Sequence, residues 1–125
     1  MKIISTPNAP AAIGPYSQAV VSGGFVYVSG QLPADPATGE LKTEITAAAR
    51  QSLDNIAAIL AEAGTDMAHV VKTTCYLAHL SDFAAFNAVY AEYFKSDCPA
   101  RACFEVAALP KGALCEVEAV AEIAG

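Results

Sequence analysis

Cys98-Pro99-Ala100-Arg101-Ala102-Cys103-Phe104-Glu105-Val106 reads as a β-strand entered from a proline, apolar except for Arg101 and Glu105. A second strand-like run follows, Cys115-Glu116-Val117-Glu118-Ala119-Val120-Ala121, and together the two decide what kind of sheet the chain builds. Side chains alternate across a strand. Arg101, Cys103 and Glu105 therefore share one face of the first run, with Ala102, Phe104 and Val106 on the other. In the second, Cys115, Val117, Ala119, Ala121 and Ile123 oppose Glu116, Glu118, Val120 and Glu122. Each strand thus has an apolar face suited to helices and a mixed polar face. If the two pair as a hairpin across Ala108-Leu109-Pro110-Lys111-Gly112-Ala113, Arg101 and a glutamate share a face within a short distance.

Arg101 is one of only two arginines. Its guanidinium is charged at any accessible pH and presents a planar fork of donors that matches a carboxylate. Such a group in an apolar strand is costly unless an anion or a fixed partner meets it. Two readings stand side by side: an internal Arg–Glu pair, or an anchor for the carboxylate of a small organic acid beside a glutamate base.

Working back toward the N-terminus, Ser17-Gln18-Ala19-Val20-Val21 ends at Ser22-Gly23-Gly24, a hairpin-like break. Phe25-Val26-Tyr27-Val28-Ser29 is a strong β run closed by Gly30, with a Pro/Gly loop from Leu32 to Gly39. Apolar residues then recur at helical spacing from about Thr43 to Ala63, with Gly64 in the place of a C-terminal cap. Arg50 lies on the polar face of that helix and reads as solvated. Val70–Leu77 is the next strand. A second helix is predicted after Ser81 as N-cap, with a stripe of Phe83, Phe86, Tyr90 and Phe94. Asn87 falls inside that stripe, so its amide needs a partner, either a neighbouring loop backbone or a ligand. The order β-β-α-β-α-β-β predicts an α+β sheet with two helices on one face. The uncovered face, half apolar, is the expected subunit contact.

At 125 residues the chain fits one domain, 1–125, and 54% of it is apolar against 16% charged. So much apolar surface is hard to bury in a small monomer, which predicts a homo-oligomer of closed symmetry. The net charge is −6 and the five lysines are scattered at Lys2, Lys42, Lys72, Lys95 and Lys111. Phosphate binding draws on clustered cations, so nucleic acid is not the expected partner, nor is an anionic membrane surface. The N-terminus lacks a signal-peptide pattern and no run reaches membrane-spanning length, which predicts a cytosolic protein. Cys75, Cys98, Cys103 and Cys115 show no CxxC spacing and no ligand spacing with His69 or His79. Neither disulfides nor zinc are expected. No P-loop, dinucleotide fingerprint, GxSxG elbow or HExxH is present.

Several segments, in this order, resemble the RidA (reactive intermediate deaminase) family: Ala12-Ile13-Gly14-Pro15-Tyr16-Ser17-Gln18-Ala19, Val28-Ser29-Gly30-Gln31-Leu32-Pro33, Gln51-Ser52-Leu53-Asp54-Asn55-Ile56 and Val71-Lys72-Thr73-Thr74. Phe83 through Tyr90 with Asn87, Pro99 through Val106, and Leu109-Pro110-Lys111 extend the resemblance over essentially the whole chain. Cys115 and Val117 depart from it, each standing where the family commonly has a larger aliphatic. The resemblance implies a chorismate-mutase-like α+β fold, related to the ferredoxin-like fold, and a homotrimer with sites in the clefts between subunits. It implies hydrolysis of 2-imino acids of the 2-iminobutanoate and 2-iminopropanoate type to 2-keto acids and ammonia, without cofactor or metal. By the same resemblance, Arg101 would bind the substrate carboxylate and Glu116 would act on water. Tyr16 would close the cleft, and Cys103, Ser29, Gly30 and Asn87 would line it. Glu118 and Glu122 read as solvated or interface carboxylates. The alternatives are a regulatory trimer that binds small acids without turnover, and a ribonuclease or translation inhibitor.

Overall fold

The computed structural model describes residues 1–123. Its main elements are β1 (Lys2–Ile4), β2 (Ala19–Ser22), β3 (Phe25–Gln31), α1 (Ile45–Ala63), β4 (Val70–Leu77), α2 (Phe83–Tyr93), β5 (Ala100–Glu105) and β6 (Cys115–Glu122). The six strands form one sheet in the order β1-β2-β3-β6-β4-β5. All neighbours are antiparallel except β4 and β5. Both helices pack on one face, and the α+β architecture expected from the element order is present. Among the described residues no helix is long and apolar enough to cross a membrane.

The helix α1 forms where strong helix formers carry an apolar stripe. Ala49, Leu53, Ile56 and Leu60 on that stripe are buried. Glu44, rather than the earlier boundary expected near Thr43, caps the N-terminus: its carboxylate accepts from the Thr46 amide at 2.6 Å. Gly64 ends the helix at φ 88°, a left-handed geometry that suits a residue without Cβ. Against the stripe lie Val26, Val28, Val117, Ala119 and Ala121, all buried, with Cys75 and Leu77 from β4. This sandwich of helix and sheet is the core.

Three expectations are corrected. The short strand β1 was not anticipated; three residues carry little pattern, and it exists because β2 offers it an edge. The helix α2 begins at Phe83, not after Ser81. Leu80–Asp82 forms a single 3₁₀ turn first, and Asp82 makes no side-chain cap bond. The turn is capped from elsewhere, by Glu105, whose carboxylate accepts from the Leu80 amide at 2.8 Å.

The third correction matters most. The strands β5 and β6 do not pair as a hairpin, because β4 lies between them. The unit β4-α2-β5 is a crossover, which brings its two strands together in parallel. The strand β6 then inserts on the other side of β4, pairing with it and with β3. The faces follow from register. Arg101, Cys103 and Glu105 stand beside Thr73, Cys75 and Leu77, whose side chains face the helices. Glu116 stands beside Tyr76, on the open face. The polar-looking side of β5 is therefore the helix side, and Arg101 and Glu116 lie on opposite faces of the sheet.

Candidate active site

The residues singled out above fall into two groups. The first surrounds Arg101 on the edge strand β5. Its Nη1 donates to Asn87 Oδ1 at 2.7 Å, so the amide inside the α2 stripe has found a side-chain partner. The guanidinium carbon lies 4.5 Å from the centroid of the Tyr90 ring and 5.6 Å from that of Phe83. Tyr90 is fixed in turn by a 2.8 Å hydrogen bond between its hydroxyl and that of Thr73. The aromatic faces and the amide hold the fork in place without cancelling its charge. Glu105, the one acid on the same face of β5, is committed to Leu80. Among the described residues no carboxylate lies within 4.0 Å of Arg101, and the side chain is exposed. The internal Arg–Glu reading does not hold.

Cys103 is next along that face, half-buried against Cys75. Burial raises the Cys75 thiol to about 12 and also raises Cys103, against the opposing pull of Arg101. Both stay protonated at neutral pH, which suits small packing groups rather than nucleophiles. All four cysteines are free thiols, and Cys98 is exposed. Arg50, expected to be merely solvated, is exposed but paired with Glu92 of α2 at 2.9 Å.

The second group lies on the open face, where a cleft of about 880 Å³ is lined by Tyr16, Ser29, Gly30, Glu116, Glu118 and Lys111, among others. A β-bulge shapes its floor. Val28 pairs with Ala119 and Gln31 with Val117, so Ser29 and Gly30 together oppose Glu118. Ser29 is tied to the preceding segment through its hydroxyl, which donates to the Ser17 carbonyl at 2.6 Å. Gly30 is needed for clearance: a Cβ there would meet Glu116 Oε2 at 2.7 Å. The carboxylate of Glu116 thus lies directly against strand backbone. Half-buried, it is held above the usual carboxylate range, first by burial and then by the neighbouring charge of Glu118. Glu118 accepts a hydrogen bond from the Tyr76 hydroxyl. That bond, with burial, pushes the Tyr76 phenol up to about 12. Tyr16 is exposed at the rim, on a loop anchored by the buried Gln18 side chain. The Gln18 amide receives the Thr6 N–H at 2.7 Å and donates to the carbonyls of Thr6, Ala9 and Pro10.

The structure therefore brings together Arg101, Asn87 and Cys103 on one side, and Tyr16, Ser29, Gly30 and Glu116 on the other. It does not unite the two groups within one chain, and Arg101, Asn87 and Cys103 do not line the 880 Å³ cleft. Sequence reasoning missed Tyr76 and the Glu118 contact. The signal was the outward alternation of Lys72, Thr74 and Tyr76 in a strand that otherwise reads as core. It also took Phe83 and Tyr90 for plain core residues, whereas they wall the guanidinium.

Residues 6–123 match the family model described as endoribonuclease L-PSP. The chain is 54% identical to the 2-iminobutanoate/2-iminopropanoate deaminase of Capra hircus over 121 residues, covering 96% of this chain and 88% of that one. It is 52% identical to a RutC family protein of Pasteurella multocida, with 96% of each chain covered. Among solved structures, E. coli TdcF with bound serine superposes with a TM-score of 0.95 at 42% identity, over 99% of this chain and 100% of that one. With the motifs from Ala12 to Lys111 in place on a matching fold, the chain belongs to the endoribonuclease L-PSP family, the family of RidA.

Proposed function

We propose that the protein is a hydrolytic deaminase that converts small 2-imino acids, of the 2-iminobutanoate and 2-iminopropanoate type, to 2-keto acids and ammonia. The observation that carries this reading is Arg101: an exposed cation, oriented by Asn87 and the Tyr90 ring, with no carboxylate of its own chain against it. A fork held this way is suited to a substrate carboxylate through two parallel charge-assisted hydrogen bonds, each worth about 1.5–3 kcal/mol. The names of close relatives point to the same substrates. Serine, bound in the related TdcF, presents a carboxylate next to a carbon bearing nitrogen.

The division of the site across two faces favours an oligomer in which a second copy carries the Glu116 cleft to Arg101. The half-apolar open face, with Ile3, Tyr27 and Phe104 exposed, is the surface available for that contact. Closed three-fold symmetry would give three such sites, as the homotrimer reading requires. In this arrangement Arg101 holds the carboxylate and thereby fixes the adjacent imine carbon. Glu116 removes a proton from a water whose oxygen attacks that carbon, giving a tetrahedral carbinolamine. The Glu116 carboxyl returns that proton to nitrogen, and as the C–N bond breaks the hydroxyl proton passes back to the carboxylate, releasing ammonia and the keto acid. The iminium carbon is electrophilic enough that no covalent enzyme intermediate is needed. Tyr16 closes the rim, and Ser29, Gly30, Asn87 and the backbone near Cys103 line the site. The activity belongs in the cytosol, with no cofactor, no metal and no nucleic-acid or membrane partner.

The experiment measures keto-acid release when purified protein is added to an amino acid dehydratase that generates the imines. Acceleration, lost in Arg101→Ala with the oligomer intact, supports the reading. Keto-acid binding without any acceleration would replace it with the non-catalytic regulatory alternative. Because Glu116 must be ionised to act as base, activity falls as pH drops through a midpoint above the ordinary carboxylate range.

A further inference from the structure

On the open face the chain carries a second carboxylate that the proposed reaction does not use. Glu118 lies two residues from Glu116 on the same strand, so both project from one face and both line the same cleft. It is not left to solvent. The Tyr76 hydroxyl of β4 donates to it, and the Tyr76 ring is braced edge-on against Phe104 of β5 with centroids 5.3 Å apart. Tyr76 is also the register partner of Glu116. One phenol therefore stands beside the first carboxylate and grips the second.

We infer that Glu118, anchored by Tyr76, is a positioning residue that sets how firmly Glu116 holds its proton. A fixed negative charge beside Glu116 makes its carboxylate a stronger base toward water. The hydrogen bond from Tyr76 fixes where that carboxylate stands relative to Glu116. The other titratable groups around the cleft are Tyr16 at the rim, Asp35 from the loop after β3, and Lys111 from the turn before β6. Lys72, further along β4, is turned back on the Thr73 carbonyl at 3.4 Å. The β3 residues beside Glu116, Ser29 and Gly30, bring no charge. In the proposed oligomer Arg101 of a neighbouring copy opposes the effect equally in every variant compared below. The inference rests on the deaminase reading for its purpose, but not for its test.

The test follows the Glu116 carboxyl by ¹³C NMR during a pH titration of the intact protein, assigned with Glu116→Gln, in the wild type, Glu118→Gln and Tyr76→Phe. Glu118→Gln keeps the shape and removes the charge, so the Glu116 midpoint moves down. Tyr76→Phe keeps the ring contact but frees the Glu118 carboxylate to swing away, so the midpoint moves the same way by less. A midpoint unchanged in Glu118→Gln overturns the inference, whether or not the protein is a deaminase. If the deaminase reading holds, pH profiles of kcat/KM repeat the pattern. The Glu118→Gln enzyme keeps about two- to threefold more of its neutral-pH rate at pH 5, while its plateau falls as the base weakens. A uniform loss at all pH values, without movement of the acid limb, marks a merely structural role and also overturns it.

Discussion

The two faces of the sheet are built on different rules. On the helix side, Leu53, Ile56, Ile59, Leu60 and Phe86 meet Val26, Cys75, Leu77 and Val117 with nothing left exposed. The polar groups there, such as Ser52 and Asn55, are all paired. On the open side, Glu116, Glu118, Tyr76, Tyr27 and Phe104 mix charge with aromatic surface, and a β-bulge interrupts the ladder. One face optimises burial. The other holds carboxylates in partial burial, which costs stability and is tolerated where chemistry or a partner uses it. Arg101 is the exception that joins them: it stands on the helix side, but on an edge strand where the helix cover stops.

Substitutions on the two sides separate these rules. The largest effect on stability is expected for Phe86→Ala, which empties the centre of the helix side and costs about 3–5 kcal/mol, read from urea unfolding. Gly30→Ala should do the reverse. It displaces the Glu116 carboxylate, which a new Cβ would approach at 2.7 Å, so activity falls at least about tenfold while stability changes little. Thr73→Val tests the support beneath Arg101. It leaves the buried Tyr90 hydroxyl without a partner, costs about 1–3 kcal/mol and, in the proposed reaction, raises KM for the imine more than it lowers kcat. Alkylation of the native protein near pH 8 should label exposed Cys98 first. Cys75 and Cys115, raised by burial to about 12 and about 11, should react only after unfolding, as counted by mass spectrometry. The smallest effect belongs to Glu92→Gln. The Arg50 pair lies in open solvent, and its loss should leave the unfolding midpoint within experimental error.

Local pattern carried most of the element list. The apolar period from Ile45 to Ala63 with Gly64 after it, and the β-branched run Phe25 to Ser29, are each written in adjacent residues. Which strand lies beside which is not. Alternation in β5 and β6 correctly sorted their residues into faces, but which face meets the helices depends on β4, whose place between them is set by the α2 crossover. That is why Arg101 was legible as an unusual cation and Asn87 as an amide in search of a partner, while their distance from Glu116 was not. The grip of Tyr76 on Glu118 was hidden for the same reason, since it joins strands 42 residues apart.

Separating the Arg101 cation and the proposed base, Glu116, onto two surfaces has a genetic corollary. In the proposed oligomer, chains disabled by Arg101→Ala and chains disabled by Glu116→Gln each retain the half that the other lacks. Co-assembled in equal amounts, two inactive proteins should complement one another and recover about a quarter of the sites, a rescue that no mixture of monomers can produce.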